Sequence, residues 1–174
     1  MSKFILDVTG EINDEMYRNV LRKVPDILKA DELLIVINSG GGSTNSFFAM
    51  YDLLLSCNKK MTTVVLGRCA SCAAVLFLIG DTRYVARNTS YMLHSIRYTT
   101  NATYNEAKLR EDYGDVRKIN QKIFSIVEEN LQKPKNWAKK IYSKKEDSWF
   151  TVDELLSMGI ATDVLEDISV LYNV

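Results

Sequence analysis

Two apolar runs, each followed by a turn of small residues and a helical segment, constrain the fold of this chain more than any other feature. The first run, residues 33–38, leads into Asn-Ser-Gly-Gly-Gly-Ser at 38–43, and the second, residues 62–66, leads into Gly-Arg-Cys-Ala-Ser-Cys-Ala-Ala at 67–74. Continuous apolar runs of this length are typical of strands that are buried on both faces. Their alternation with helices predicts an α/β protein with a parallel sheet and crossover helices.

Hydrophobic spacing predicts the other elements and a single domain. The predicted strands are residues 3–8, 33–38, 62–66, 83–86 and 90–93, and the predicted helices are residues 14–28, 44–56, 70–79, 102–130, a short one opening at Pro134, and 151–156. The 174 residues, 47% of them hydrophobic, can bury one core, and no repeat, linker or low-complexity segment divides them. We therefore expect one domain over residues 1–174.

Composition excludes several classes of partner. The 22 basic and 22 acidic residues cancel, so no net field attracts nucleic acid or an anionic membrane. No apolar run is long enough to cross a bilayer, and Asp7 comes too early for a secretory signal. Three cysteines, an odd number, fit a reducing compartment. We expect a soluble cytoplasmic protein that binds neither nucleic acid nor membranes.

Ser71, in the second small-residue turn, is the candidate nucleophile. A helix that begins directly after a serine directs unpaired N–H groups toward the group that its hydroxyl attacks. A serine needs a base to become nucleophilic, and His94 is the only histidine in the chain. Taken alone, Ser71 is more often a helix N-cap or a packing spacer, and His94 a half-buried structural histidine. Their occurrence together favours a catalytic pair.

Asp147 is the best candidate for an acid that orients His94. It lies in a charged segment, so an ordinary solvated carboxylate is the alternative interpretation. Spacing along the chain does not exclude Asp153, Asp163 or Asp167 from the same role.

The triglycine turn at residues 40–42 has three interpretations. Its glycines could cradle a phosphate, but the turn lacks the Lys-Ser/Thr of a P-loop and the G-x-G-x-x-G spacing of a dinucleotide site. They could direct backbone N–H groups toward a developing oxyanion. They could also only close a strand-to-helix turn, which is the commonest use of glycine. Because both small-residue turns follow predicted neighbouring parallel strands, we expect them at the sheet edge where ligands bind.

Cys69 and Cys72 form a C-x-x-C pair, which raises thiol–disulfide exchange as a rival function. A thioredoxin-like site places this pair after an early strand and opposite a proline, and neither Pro25 nor Pro134 lies at a suitable place. The three cysteines and the histidine also lack the spacing of a zinc site. We expect buried, inert thiols, and neither a metal nor another cofactor.

Several short motifs follow one another along the chain: Ile-Asn-Ser-Gly-Gly-Gly-Ser at 37–43, Met-Tyr-Asp at 50–52, Gly-Arg-Cys-Ala-Ser-Cys-Ala-Ala at 67–74, Met-Leu-His at 92–94, Glu-Asp-Ser-Trp-Phe-Thr at 146–151, Glu154, and Met-Gly-Ile at 158–160. This ordered series resembles the ClpP family, the proteolytic subunits of the Clp protease. The resemblance covers nearly the whole chain. Each motif is common by itself, whereas the ordered series is specific.

The resemblance implies a serine endopeptidase with the crotonase-like (ClpP) fold of repeated ββα units and a long handle helix. In this family pattern Ser71 corresponds to the nucleophile, His94 to the base and Asp147 to the orienting acid. The backbone N–H groups of Gly42 and Cys72 correspond to the oxyanion hole. The family also implies a homo-oligomeric ring that encloses a chamber, where peptides or unfolded proteins are cleaved.

Departures from the family pattern bear on the partners. The family's Asn-Ser-Pro-Gly-Gly is Asn-Ser-Gly-Gly-Gly at residues 38–42, and residues 95–100 replace a segment that lines the substrate and helps to join two rings. The family has a further stretch before the first strand, which forms the axial pore loop and part of the docking surface for an AAA+ unfoldase. Because this chain begins almost at the strand, we expect it not to engage a Clp unfoldase in the usual way.

Three other functions stay open at this point. A catalytically idle ring partner is one, although it would not need the intact set of Ser71, His94 and Asp147. A phage-type, dedicated capsid-maturation protease is a second, because it would suit a compact member of the family. Acyl-CoA chemistry on the same fold is a third, but it would want an acidic residue near the oxyanion turns.

Overall fold

The computed structural model describes residues 2–97, 105–142 and 147–172. These residues divide into two compact units. The described part of the first unit is residues 2–92 and 149–172, and that of the second is residues 93–97, 105–142 and 147–148.

Strands and helices alternate along the first part of the chain, which confirms the predicted α/β pattern. In order, the elements are β1 (Lys3–Thr9), α1 (Asp14–Lys29), β2 (Glu32–Ser39), α2 (Thr44–Ser56), β3 (Lys60–Ala70), α3 (Cys72–Phe77), β4 (Thr82–Val85), β5 (Ser90–Leu93), α4 (Glu106–Asn130), α5 (Trp137–Tyr142), β6 (Ser148–Phe150), α6 (Val152–Ser157), β7 (Asp163–Val164) and α7 (Ser169–Tyr172).

The sheet is built on parallel pairs, as the apolar runs predict. Its main path is β1-β2-β3-β4-β7, with parallel pairing at each step, and β5 pairs with β3 and with β6. β3 has two successive partners on one side: Thr62–Val65 pairs with β4, and Arg68–Ala70 pairs with β5. The inner strands are the most buried, because helices cover them as crossover connections do.

A bulge in β3 accompanies this change of partner. Ile37 of β2 pairs with Val65, whereas Ser39 pairs with Cys69, so the step along β3 is longer than the step along β2. Extra residues on one strand bend it and increase its twist. The last residues of β3 are thereby directed alongside β5.

Gly67 makes the bend of β3 compact. Its φ is +100°, and a Cβ atom built there would lie 2.9 Å from Asn38 Oδ1. The same Asn38 oxygen accepts a hydrogen bond from the Arg68 N–H at 3.1 Å. A side chain at position 67 would therefore be strained by its backbone angle and would collide with the asparagine that stabilises the bulge.

Capping side chains set the starts of four helices. Asn13 caps α1, Ser43 caps α2, Asn105 caps α4 and Thr151 caps α6, each by accepting a backbone hydrogen bond from the first turn. Glu154 bonds back to the Thr151 N–H at 2.8 Å, which completes a capping box. The predicted capped helix at residues 151–156 is confirmed.

Two predicted helix starts are displaced. The helix predicted from Ala70 begins at Cys72, because Ala70 is still the last paired residue of β3. The helix predicted to open at Pro134 begins at Trp137, whose N–H bonds to the Pro134 carbonyl at 3.0 Å in a preceding turn. The long predicted helix is described from Glu106, and its first predicted residues lie outside the described ones.

In the second unit, α4 packs against α5 through its C-terminal half. The rings of Phe124 and Tyr142 lie 5.2 Å apart, and Glu128 Oε1 accepts a hydrogen bond from the Ala138 N–H at 2.9 Å. Toward the other end of the helix, Tyr113 is 70% exposed. The half of α4 that meets α5 therefore has a core-packing role within this unit.

Candidate active site

Ser71 occupies a strained turn between β3 and α3. Its φ is +59° and its ψ is −128°, a region that residues with side chains rarely adopt. Its N–H donates to the Met92 carbonyl at 2.9 Å, so the turn is tied to β5. Ser71 stands at the N-cap of α3, but its hydroxyl makes no capping hydrogen bond. Capping by the hydroxyl therefore does not explain this serine, although its backbone occupies the N-cap position. A strained strand-to-helix turn of this kind is compatible with a nucleophile at position 71.

The helix after Ser71 is buried along its whole length, which holds the turn in place. Every residue of Cys72–Phe77 is buried. The Tyr91 hydroxyl donates to the Ala74 carbonyl at 2.8 Å, and its ring meets Phe77 edge-on with 6.0 Å between centroids. A buried hydroxyl that is hydrogen-bonded in this way positions the helix as well as filling space.

The triglycine turn packs directly against the serine turn. A Cβ atom built on Gly41 would lie 2.7 Å from Ser71 Cβ and 3.2 Å from Cys72 N, and the φ of Gly41 is +91°. Only glycine tolerates both conditions. The buried Ser39 hydroxyl accepts the Gly41 N–H at 3.1 Å and so holds the turn. Gly41 therefore has a steric function that exceeds the closing of a strand-to-helix turn.

Ile12 holds the other side of this turn through its backbone. Its N–H donates to the Gly41 carbonyl at 2.9 Å, and its carbonyl accepts the Ser43 N–H at 2.7 Å. A Cβ atom on Gly42, whose φ is +152°, would lie 2.2 Å from the Ile12 oxygen. Sequence reasoning missed Ile12, because backbone hydrogen bonds of a loop residue leave no mark in the side-chain pattern.

The two predicted oxyanion donors, Gly42 and Cys72, lie on these two adjoining turns. The Cys72 thiol is 3.7 Å from the Gly42 carbonyl, so the two residues are in contact. The Cys72 N–H opens the first turn of α3, where backbone N–H groups have no partner within the helix. The assignment of both N–H groups to an oxyanion hole stays a prediction.

The cysteines beside the site are free and buried, as predicted. Burial raises the pKa of the Cys72 thiol to about 11, although nearby backbone N–H groups partly offset the effect. Burial raises the pKa of the Cys69 thiol as well. Thiol–disulfide exchange needs an accessible thiolate of lowered pKa, so these directions oppose the redox interpretation of the C-x-x-C pair.

His94 and Asp147 lie together in the second unit, whereas Ser71 belongs to the first. His94 is partly buried, and its pKa is lowered, chiefly by burial and then by the positive charge of Arg97. The negative charge of Asp147 and a backbone hydrogen bond at Ser95 act in the opposite direction. The imidazole is therefore held neutral near pH 7, the form that a general base requires.

Asp147 forms an ion pair with Arg97, which sequence reasoning did not find. Its Oδ1 accepts a hydrogen bond from Arg97 Nη2, with the Asp147 side chain 28% exposed and that of Arg97 67% exposed. Asp147 is therefore not simply a solvated carboxylate in a charged loop. The sequence offered no signal for this pair, since the two residues lie fifty positions apart in separate loops.

The alternative acids Asp153, Asp163 and Asp167 belong to the first unit, and two of them accept backbone hydrogen bonds there. Asp163 accepts a hydrogen bond from the Val164 N–H, and Asp167 accepts one from the Ser169 N–H, which lowers the pKa of Asp167. Asp147 and Arg97 are the charged residues that act on His94 among those described.

Neither a metal-binding cluster nor a membrane-spanning helix is found among the described residues. Residues 2–97, 105–142 and 147–172 contain no group of three or more His, Cys, Asp or Glu side chains that could hold a metal ion. No helix within these ranges is both long enough and apolar enough to span a bilayer.

Comparisons with known proteins show the family and the fold of this chain. The family model described as Clp protease matches residues 1–167. The ATP-dependent Clp protease proteolytic subunits of Streptococcus pyogenes serotype M5 (strain Manfredo) and Streptococcus equi subsp. equi (strain 4047) are each 23% identical to this chain over 169 residues, which covers 94% of the chain and 85% of each relative. A solved structure of a ClpP1 mutant from Listeria monocytogenes aligns with a TM-score of 0.82 at 20% identity, over 95% of this chain and 92% of that one. The predicted crotonase-like (ClpP) fold is thereby confirmed.

Proposed function

Because this chain belongs to the Clp protease family, we propose that it is a serine endopeptidase that cleaves peptides or unfolded proteins. The observation that carries the proposal is the strained Ser71 turn, packed against a glycine turn so closely that Gly41 has no room for a Cβ atom. Strain of this kind persists where the surrounding structure imposes it, and it clusters at functional sites.

In the proposed reaction Ser71 Oγ attacks the carbonyl carbon of the substrate peptide bond. His94 takes the hydroxyl proton during the attack and returns it to the leaving amine, and Asp147 orients the imidazole and stabilises its charged form. Water then repeats the sequence on the acyl-enzyme and releases the second product. This chemistry requires residues 1–174 to act as one peptidase domain, because the nucleophile and the base come from different units.

The backbone N–H groups of Gly42 and Cys72 are proposed to bind the oxyanion of the tetrahedral intermediate. Two adjoining turns that each present an N–H group supply such a site without any side chain. Each donor of this type is typically worth about 3 kcal/mol of transition-state stabilisation. The contact between the two residues supports the assignment.

We also propose a homo-oligomeric ring in the cytoplasm with the active sites inside a chamber. The curated relatives are named as proteolytic subunits of an ATP-dependent protease, which supports an assembly of several copies. The use of an unfoldase is a separate question, answered by adding a purified Clp unfoldase and ATP. Faster degradation of a folded, tagged protein would show that an unfoldase delivers substrate to this chain.

A catalytically idle ring partner is a second candidate, and one observation favours it. Asp147 accepts a hydrogen bond from the Arg97 side chain, so the acid is paired with a guanidinium. A subunit in which Asp147 is permanently paired with an arginine would form rings without cleaving peptides. Retention of Ser71 in its strained turn favours the active enzyme.

Hydrolysis of a fluorogenic peptide pool tests the proposed function. Purified wild-type protein is compared with S71A, H94A and a matched serine variant, S56A, whose exposed hydroxyl only bonds to the Leu53 carbonyl in α2. We expect the wild type and S56A to cleave peptides, and S71A and H94A to lose nearly all activity. Equal activity in S71A and the wild type would overturn the proposal.

A further inference from the structure

The segment that follows β5 carries a cation beside the candidate base and acid. The Ile96 N–H donates to Asn120 Oδ1 of α4 at 3.1 Å, so the chain between His94 and Arg97 is anchored to the long helix of the same unit. In the same segment, the Arg97 guanidinium forms an ion pair with the Asp147 carboxylate.

The ion pair with Arg97 engages the carboxylate of Asp147, which the proposed mechanism needs to orient His94. The Arg97 side chain donates a hydrogen bond to the Asp147 carboxylate. A carboxylate that neutralises a guanidinium exerts less attraction on a neighbouring imidazolium, because the opposite charges offset each other. Solvent screens this pair only in part, since the Asp147 side chain is 28% exposed and that of Arg97 is 67% exposed.

Arg97 and Asp147 therefore act on His94 in opposite directions. Arg97 disfavours the charged imidazole and Asp147 favours it, and of the two Arg97 has the larger effect on the pKa of His94. The other contributions are burial of the ring and the backbone hydrogen bond at Ser95, and neither depends on the charge of residue 97.

We propose that Arg97 is a positioning residue that competes with His94 for the carboxylate of Asp147 and restrains the catalytic pair in the resting protein. The inference rests on the proposed peptidase function for its consequence, although the competition itself exists whether or not the chain cleaves peptides. Full activation then requires Arg97 to release Asp147. A carboxylate or another anion that binds the exposed guanidinium has the chemistry to cause this release.

The protonation states that His94 must adopt during the reaction explain why this competition affects catalysis. His94 must be neutral before the attack and charged in the transition state, after it has taken the Ser71 proton. Arg97 helps the first requirement and opposes the second. Its removal should leave a more basic imidazole that Asp147 alone stabilises.

A single resonance measures this competition, because His94 is the only histidine. The protein is labelled with 13C at the histidine Cε1 position, purified without a histidine tag, and titrated by NMR as wild type, R97Q, R97K and R87Q. Arg87 is the matched control: its Nη2 lies 2.6 Å from Glu166 Oε2 in an exposed ion pair of the other unit. Circular dichroism confirms that each variant is folded.

We expect the pKa of His94 to rise by about half a pH unit or more in R97Q. R97K should return it most of the way to the wild-type value, and R87Q should leave it unchanged. An R97Q protein with the wild-type pKa, or a lower one, would overturn the inference, as would an equal change in R87Q.

Peptide hydrolysis then separates the inference from the proposed function. We expect the rate constant kcat of R97Q to exceed that of the wild type several-fold above pH 8, with the acid limb of the pH profile moved to higher pH. A folded wild type and R97Q that both lack activity would contradict the proposed function, while the titration would still decide the competition. A lower kcat in R97Q at every pH would show that Arg97 supports catalysis and would overturn the restraint.

Discussion

The turn around Ser71 and the segment around His94 are held by different forces. Backbone constraints fix the first: a positive φ, a bulge in β3, and glycines that have no room for a Cβ atom. Side-chain charges hold the second, since the ion pair between Arg97 and Asp147 is partly exposed. Backbone geometry of this kind is rigid, whereas a partly exposed ion pair can exchange partners at small cost. In the proposed mechanism, the turn that carries Ser71 is therefore rigid before substrate binds, and the proposed restraint acts on His94 and Asp147.

Removal of the Asp147 carboxylate should cause the largest loss of activity among the variants considered. In D147N the amide cannot stabilise the imidazolium of His94, and it leaves the positive charge of Arg97 without a counter-charge. We expect kcat to fall by about 10²–10⁴-fold, with a lower pKa of His94. Steady-state peptide hydrolysis measures the first and histidine NMR the second. D153N, in α6, is the control, and a similar loss there would refute the special role of Asp147.

A methyl group at position 41 should lower activity almost as much, because it disturbs the rigid turn around Ser71. G41A places a Cβ atom 2.7 Å from Ser71 Cβ and at a φ of +91°, so the serine must shift. We expect kcat to fall by about 100-fold or more, because a displacement of about 1 Å at a reacting group has that effect.

Gly10 provides a matched control for this substitution. Its φ of +95° is nearly that of Gly41, but a Cβ atom there would meet nothing within 4 Å. G10A should therefore lose stability through backbone strain and keep its kcat. An equal loss of kcat in the two variants would show that strain alone, and not the contact with Ser71, explains the effect.

The pH dependence of kcat/KM should reflect the protonation of His94. The pKa of His94 is lowered from its ordinary value of 6.5, and the neutral form is the active one. Activity is therefore complete above this pKa and falls about tenfold for each pH unit below it. The profile of kcat/KM should have its acid limb below pH 6.5. An acid limb clearly above pH 6.5 would contradict the balance of charges described here.

Loss of the hydrogen bond between the Ile96 N–H and Asn120 of α4 should have the smallest effect on activity. N120A removes the acceptor of the Ile96 N–H, which is worth about 1 kcal/mol. We expect a decrease in kcat of up to about fivefold, measured beside N19A, in which an exposed hydrogen bond to Arg22 is lost. Activity of N120A equal to that of N19A would show that the anchor does not position the segment.

The sequence predicted the parts of the molecule that short patterns determine. The apolar run at residues 33–38 and the small-residue turns predicted the parallel sheet, and the signature of Thr151 and Glu154 predicted a capped helix. The register step between β2 and β3 and the bridge from Ile12 depend on which segments meet in three dimensions, so no local pattern reveals them. The Arg97 pair has the same origin, since it joins residues from two distant loops.

Candidate chemistry was easier to predict than its electrostatic setting. Ser71, His94 and Asp147 could be chosen as residue types, because a weak nucleophile needs a base and the base needs an acid. The lowered pKa of His94 arises from burial and from a cation whose position only the folded chain determines. The helix start at Cys72 was misplaced by two residues for a related reason, since pairing between Ala70 and Met92 extends β3.

The most direct test of the central claim is the site of covalent modification by a fluorophosphonate. Wild type, S71A and H94A are treated under identical conditions, and the adduct is located by mass spectrometry of peptides. We expect one adduct on Ser71 in the wild type, none in S71A, and a strongly reduced rate in H94A. A folded, assembled wild type that stays unmodified, or an adduct on another serine, would contradict the account of Ser71 as a nucleophile that His94 activates.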